Sequence, residues 1–294
     1  MTKVLFTGIT GLLGKYFLNT KQPGYEIIGT YNKNAPEIEE NILKLDITQR
    51  EEVISFINEV KPQIVVHAAS IGNVDYCETH KEEAYKVNVE GTKNVLDACI
   101  NEGAKIVFTS SNAIYDGTNP PYDEKSKVNP LDVYGKTKVE AEKLIKKSGV
   151  PYVILRLMTM YGWPQKGGRS NPVSWVIEQL KNKKPINVVN DIFNNHLYVE
   201  QAAEVLWEII ESNKDNEVYN IAGGECISRY DLAVKVSQVF NLDSTLITPV
   251  KNDFFKSIAP RPKNTCFSTS KIEKDLKITP LKIAEGLEKM KDEK

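Results

Sequence analysis

Five short apolar runs recur through the first half of the chain: KVLFT (3–7), YEIIGTY (25–31), QIVVHA (63–68), KIVFTS (105–110) and YVILRL (152–157). Each is rich in β-branched residues and shows little polar alternation, as expected of strands covered on both faces. NILKLD (41–46) reads as a further short strand. Residues 12–20, 49–60, 81–102 and 132–147 carry helical patterns between them. Repeated strand–helix–strand units imply right-handed crossovers and an α/β fold with a doubly wound parallel sheet. Ligands of such sheets bind beyond the carboxyl ends of the strands, so the residues after each strand are the ones to inspect.

The rhythm changes after residue 157. A long loop, YGWPQKGGRSNP (161–172), is followed by the polar aromatic segment NDIFNNHLYV (190–199). A helix over 199–212 is expected to return to the first sheet. The rest has a strand near 217–221, a helix near 228–240 and the Pro-rich APRPKN (259–264), and reads as a smaller C-terminal α/β lobe. The division predicted is 1–160 for a dinucleotide-binding domain and 161–294 mostly for a substrate lobe. The charged tail KMKDEK reads as a fraying helix end.

Composition narrows the class. The 294 residues are 41% hydrophobic and 26% charged, ordinary for a globular protein. A net charge of −1 gives no reason to expect nucleic acid or membrane as partner. No apolar run approaches the ~20 residues of a membrane span, and the N-terminus reaches glycine within eight residues, unlike a signal peptide. Cys77, Cys99, Cys226 and Cys266 are widely spaced with no C-x-x-C pair, so no metal site is expected. Reduced thiols and a cytoplasmic location are the default.

The first strand runs into TGITGLLG, with Gly8, Gly11 and Gly14 at the start of a helix. One glycine suits the tight turn, one the approach of a pyrophosphate, one the packing of helix on sheet. The helix N-terminus adds free N–H groups and partial positive charge. Thr10, Leu12 and Leu13 complete the Rossmann-type loop. The competing reading is a merely tight strand–helix turn. The second strand ends GTYNKN without an acid for a ribose. Tyr31, Asn32 and Lys33 favour a 2′-phosphate, hence NADPH, with NADH as the alternative. Asp46, beside Ile47, is placed for an adenine amino group or for capping the next helix. Small Ala68, Ala69 and Ser70 suit either the nicotinamide riboside or plain packing.

Tyr134 and Lys138 in VYGKTK stand four residues apart on one helix face. With 13 tyrosines and 33 lysines among the 38 basic residues, one or two such pairs arise by chance, and this is the one present. Context gives the pair its weight. TGITGLLG, VVHAAS, Asn88 in YKVNVEGTKN, Ser110-Ser111 and YGKTK resemble, in order, an extended short-chain dehydrogenase/reductase. VDYCETHKEEAYKVN (74–88), IYDGTNPPYDEKSKVNPLDVYGKTK (114–138), MYG (160–162) and RPKN (261–264) look like the dTDP-4-dehydrorhamnose reductase branch.

The resemblance implies that Ser111, Tyr134 and Lys138 act on a substrate carbonyl, with Ser110 in reserve. Lys138 is expected to lower the tyrosine pKa towards working pH, and Tyr134 to donate the proton. Asn88 would support the catalytic-loop backbone or the cofactor, and Met160 would lie beside the nicotinamide. Asn112 stands where the branch has Asp, and Asn112-Ala113 departs from the Asp and Glu of a 4,6-dehydratase. Asp75 and Glu78 orient a loop by the substrate or start a helix. Arg156 reads as structural. Ser111, Asn112, Asn171, Trp175, His196 and Arg261, with Arg169, are candidates for the nucleotide sugar, arginine forks suiting diphosphates. His196, in NNHLYV where relatives differ, is a structural residue or, with a cysteine, a reserve acid–base pair.

The function expected is NADPH-dependent reduction of a nucleotide-activated 4-keto-6-deoxy sugar. The alternatives are a nucleotide-sugar epimerase and a non-catalytic NADP-binding subunit, since one relative of the branch regulates a methionine adenosyltransferase. The resemblance also admits a homodimer; some relatives dimerise through acidic residues and a metal, and no such site is legible in this sequence.

Overall fold

The computed structural model describes residues 1–33, 35, 41–212 and 214–293; Asn34 of GTYNKN and the final Lys294 lie outside them. The N-terminal half runs β1 (Thr2–Thr7), α1 (Leu12–Asn19), β2 (Tyr25–Tyr31), β3 (Ile42–Lys44), α2 (Arg50–Val60), β4 (Ile64–His67), α3 (Val74–Thr79) and α4 (Lys81–Tyr85). A π-turn over Lys86–Glu90 leads into α5 (Gly91–Glu102), then β5 (Lys105–Ser111), α6 (Val133–Lys147) and β6 (Tyr152–Leu157). The helix expected over 81–102 is thus bent by a π-turn, which turns Asn88 inwards.

The C-terminal half runs β7 (Met160–Tyr161), α7 (Pro172–Lys181), β8 (Ile186–Val189), β9 (Phe193–Asn194), β10 (Leu197–Tyr198) and α8 (Val199–Glu211). It ends with β11 (Glu217–Ile221), β12 (Ile227–Ser228), α9 (Arg229–Val239), β13 (Ile247–Val250), α10 (Ser270–Leu276) and α11 (Ile283–Asp292).

Seven strands form one parallel sheet in the order β11-β6-β5-β4-β1-β2-β3. Period-2 alternation sends neighbouring residues to opposite faces. Val4 and Phe6 enter one core with Val107 and Leu155, while Leu5, Ile106 and Ile154 enter the other. This is why the strands read as unbroken apolar runs. The strand at 217–221 was expected in the second lobe. It is instead the seventh strand of the main sheet, paired with β6. The chain returns there through α8, which lies on α1 with Trp207 stacked on Phe17 at 4.2 Å. Burying such a ring contributes about 1.5–3 kcal/mol.

A third core gathers Tyr161, Val173, Ile177, Ile186, Leu232 and Leu287 among α7, α9, α11, β8 and β13. Two expectations fail here. Cys226 and Cys266 are not free thiols: they form a disulfide, because β12 and the segment after Asn264 flank β9 and bring two sequence-distant cysteines together. Cys77 and Cys99 remain free and buried. The tail does not fray up to Glu293, whose carboxylate accepts hydrogen bonds from Tyr16 (2.6 Å) and Tyr198 (2.5 Å).

Candidate active site

Beyond the carboxyl ends of β1, β2 and β4 lies a cavity of about 490 Å³. Its floor is the glycine loop. Gly8 has φ +75°, and a Cβ there would stand 2.8 Å from the Cα of Ala69, so the loop and the β4 end approach at backbone distance. Gly11 precedes α1 as its cap without a side-chain hydrogen bond, which leaves first-turn N–H groups free. Gly14 holds α1 against Ile9, whose carbonyl oxygen a Cβ would meet at 2.0 Å.

Gly8, Thr10 and Gly11 line the cavity, as do Tyr31, Asn32 and Lys33, Asp46 and Ile47, and Ala68, Ala69 and Ser70. Leu12 and Leu13 do not: both pack into the core, and only their backbone faces the loop. Gly14 and Met160 also stand outside the lining. Asp46 Oδ1 accepts from the N–H and hydroxyl of Thr48, and α2 is preceded by Gln49, so Asp46 does not cap that helix. Asn88 does not reach the cavity. Its oxygen accepts from Ile71 N (2.7 Å) and its amide donates to Ile71 O and Thr137 Oγ1.

Sequence reasoning missed Glu83, Lys86 and Val87, which share the cavity wall. Their i, i+3, i+4 spacing on a helix facing the small-residue loop was the available signal. Lys33 meets Glu83 at 3.6 Å, and Tyr76 donates to the same carboxylate.

Next to this cavity, α6 starts under tight control. Asp132 caps it through Gly135 N at 2.7 Å, and Glu78 accepts from Val133 N. A Cβ on Gly135 would stand 2.2 Å from Ala113 O, so the helix start sits directly on the turn that follows β5. This brings Tyr134 against Ser111. Lys138, one turn on, is 2% exposed. Its Nζ donates to Thr109 O at 2.9 Å and stands 5.7 Å from the Tyr134 ring centroid.

Burial pushes the Lys138 ammonium down to about 8. The expected lowering of Tyr134 is not what the geometry gives. Burial pushes its phenol up to about 12, against the opposing pull of the Ser111 hydroxyl, so Tyr134 holds its proton at neutral pH. Ser110 is committed elsewhere: it donates to Glu142, which pairs with Arg156 at 2.8 Å in a buried scaffold.

The remaining candidates divide. Asn112 donates to Thr265 Oγ1 at 2.8 Å and accepts from Ser111 Oγ at 3.4 Å, beside the candidate hydroxyl. Arg261 pairs with Asp75 at 2.8 Å, joining the 259–261 segment to α3. Arg169 donates to Gly72 O, and Trp175 is 38% exposed on α7. Asn171 is spoken for: it caps α7 in a reciprocal capping box with Ser174 and donates to Gly162 O. His196 is 1% exposed, and burial, helped by Arg229, pushes its imidazole down to about 3. Backbone at Asn194 approaches the ring, but neither nitrogen reaches hydrogen-bond geometry. The reserve pairing of His196 with a cysteine loses the two second-lobe thiols to the disulfide.

No group of three or more His, Cys, Asp or Glu side chains suited to a metal ion is present among the described residues, and none of their helices is long and apolar enough to cross a membrane.

The RmlD substrate binding domain family model matches residues 1–294. Methionine adenosyltransferase 2 subunit beta of Xenopus tropicalis is 29% identical over 279 residues, 92% of this chain and 82% of the relative. dTDP-4-dehydrorhamnose reductase of Aggregatibacter actinomycetemcomitans is 29% identical over 293 residues, 95% of each. Among solved structures, dTDP-4-dehydrorhamnose reductase from Bacillus anthracis str. Ames in complex with NADP superposes with a TM-score of 0.90 at 28% identity, over 100% of both chains.

Proposed function

The chain belongs to the RmlD substrate binding domain family, and from that premise we propose that it is an NADPH-dependent reductase of a dTDP-linked 4-keto-6-deoxy sugar. The observation that carries this reading is the grouping of Ser111, Tyr134 and Lys138 at the end of β5 and the start of α6, in a fold that also holds a glycine-loop cavity beyond the ends of β1, β2 and β4. The similarity to dTDP-4-dehydrorhamnose reductases, one of them solved with NADP, supports it.

The cavity fits the cofactor. The glycine cradle admits a pyrophosphate at backbone distance, the free N–H groups of α1 face it, and Lys33 and Lys86 flank the end where a 2′-phosphate would lie. Bound there, NADPH supplies hydride to C4 of the sugar. Ser111 orients the ketone oxygen. Tyr134, protonated at working pH, donates its phenolic proton to that oxygen, and the Lys138 ammonium stabilises the phenolate left behind. Residues 1–160 with α8 and β11 form the cofactor part in this reading, and the rest of 161–294 the substrate part.

The test is NADPH oxidation with dTDP-4-dehydrorhamnose by wild type and Tyr134→Phe. Wild type should turn over, and Tyr134→Phe should lose about 10²–10⁴-fold in kcat with NADPH affinity retained. Unchanged reduction by the variant overturns the mechanism. A 4-epimerase would instead interconvert sugars without net NADPH loss.

A second reading, an NADP-binding regulatory subunit, draws on the similarity to methionine adenosyltransferase 2 subunit beta. It is favoured if no keto sugar is reduced and the protein binds a methionine adenosyltransferase. The Ser–Tyr–Lys set weighs against it, since a purely binding protein has no use for a proton donor.

A further inference from the structure

Thr7, His67 and Phe108 stand in register across β1, β4 and β5, so their side chains share one face of the sheet. Leu5, Val65 and Ile106, two residues earlier on the same face, all lie in an apolar core. His67 is therefore a polar ring where the pattern calls for an apolar one, and it is fully buried. The mechanism proposed above gives it no part.

Its hydrogen bonds fix where its proton sits. Nδ1 lies 2.7 Å from Thr7 Oγ1, and Nε2 lies 3.0 Å from Thr92 Oγ1. The Thr92 hydroxyl gives its one proton to Asn88 O at 2.7 Å, so it must accept from Nε2–H. Nδ1 is then bare and accepts from the Thr7 hydroxyl, whose oxygen accepts in turn from Ala69 N at 3.4 Å. A protonated ring could not accept from Thr7, and the other tautomer would set two lone pairs against each other at Thr92. Burial, helped by the Lys138 ammonium, pushes the imidazole down to about 3 and keeps it neutral.

Both ends of this chain of bonds belong to the candidate site. On one side, β1 runs into the glycine loop, and Gly8 approaches Ala69 at backbone distance. On the other, Asn88 holds Ile71 and donates to Thr137 Oγ1, and the Thr137 hydroxyl donates to Tyr134 O at 2.7 Å. The main chain of His67 adds a second path. Its carbonyl accepts from the Thr109 hydroxyl, and Thr109 O accepts from Lys138 Nζ.

We propose that His67 is a positioning residue, a neutral bridge that sets the register between the nucleotide cradle and α6 so that nicotinamide and Tyr134 meet at one carbonyl; this rests on the reductase reading above. It acts through Thr7 and Thr92 and touches neither cofactor nor substrate.

The test compares full-length wild type with His67→Phe, Thr7→Val, Thr92→Val and the double threonine variant. His67→Phe keeps a ring beside Phe108 and cuts both links. Its kcat for dTDP-4-dehydrorhamnose, per molecule that binds NADPH, should fall about 10- to 100-fold, the scale of a small misplacement of reacting groups, with both KM values within about threefold. A residue that merely fills the core would lower stability and leave that kcat unchanged, and this result overturns the proposal. Each threonine variant removes one link and keeps the shape. Independent losses in kcat would multiply, whereas one shared bridge predicts a double variant within about twofold of the worse single variant. Multiplying losses overturn the bridge, and this comparison decides if His67→Phe does not fold. Nitrogen-15 labelling of the histidine rings should show His67 with a protonated Nε2 and a bare Nδ1 from about pH 5 to pH 9; a proton on Nδ1 overturns the assignment. If wild type reduces no keto sugar, the reductase reading falls, and the nitrogen spectrum still decides the bridge.

Discussion

Replacing Lys138 by methionine should make the protein more stable and catalytically dead. The ammonium is 2% exposed and no carboxylate among the described residues pairs with it directly; it is held by one carbonyl, Thr109 O at 2.9 Å, and by the Phe108 ring at 4.8 Å. Burial lowers it from 10.5 to about 8, which at about 1.4 kcal/mol per tenfold is a penalty of about 3 kcal/mol on the charged form. Losing the Thr109 bond and the ring contact takes back about 1–2 kcal/mol. A net gain of about 1 kcal/mol or more is left at pH 7. The pH dependence follows from the proton balance. Below about 8 both folded and unfolded lysine are charged and the penalty is complete. Between about 8 and 10.5 the unfolded chain binds more protons, so wild-type stability rises with pH. The variant lacks that rise, and its advantage should shrink across this window. Urea unfolding of both proteins at pH 7 and pH 10 measures it. A variant less stable than wild type at pH 7, or a difference that does not change with pH, refutes the reasoning.

Three other perturbations test separate parts of the structure. Arg156→Met leaves the buried Glu142 carboxylate without its partner and should cost about 3–5 kcal/mol by denaturant unfolding. Since burial raises that carboxyl and Arg156 is the largest of the partners, with Lys146 and Ser110, that hold it below the usual range, the variant should lose less stability than wild type as pH falls through the carboxylate range. Glu83→Gln frees Lys33 and removes negative charge from the cavity wall. The NADPH-to-NADH preference in kcat/KM should rise about two- to fivefold, the scale of an exposed pair; a fall would mean that Glu83 does not oppose the 2′-phosphate. Glu293→Ala removes the acceptor of two tyrosine hydroxyls and should lower unfolding stability by about 2–4 kcal/mol, whereas a frayed tail would give no change.

What the sequence disclosed depended on the range of the interaction concerned. Strands such as Thr2–Thr7 and Lys105–Ser111 were legible because unbroken β-branched runs suit burial on both faces, and burial is local information. The glycine loop was legible for the same reason: turn and helix start are neighbours in the chain. Contacts between distant segments were not. Cys226 and Cys266 are 40 residues apart and meet because the segments that carry them both pair with β9. Asn171 looked available for a ligand although Asn before Pro is a helix-start signal, whereas the reach of its amide to Gly162 is a contact outside that local pattern. The i, i+4 face of Tyr134 and Lys138 was readable. That burial would raise one and lower the other was not, since it depends on β5 and the turn after it.

Buried charge separates scaffold from candidate site in this molecule. Glu142 and Lys138 are one turn apart on α6, and both are almost out of water. Glu142 is enclosed by Arg156, Ser110 and Lys146, so every charge has its complement and the cluster can only hold β5, β6 and α6 together. Lys138 has a carbonyl and two ring faces and, among the described residues, no ion-pair partner. A folded chain keeps an unbalanced cation out of water only where the imbalance is used. In the proposed mechanism Lys138 serves the phenolate that Tyr134 leaves during turnover. Lys138→Met relieves a penalty that catalysis alone requires, and kcat is lost while binding survives.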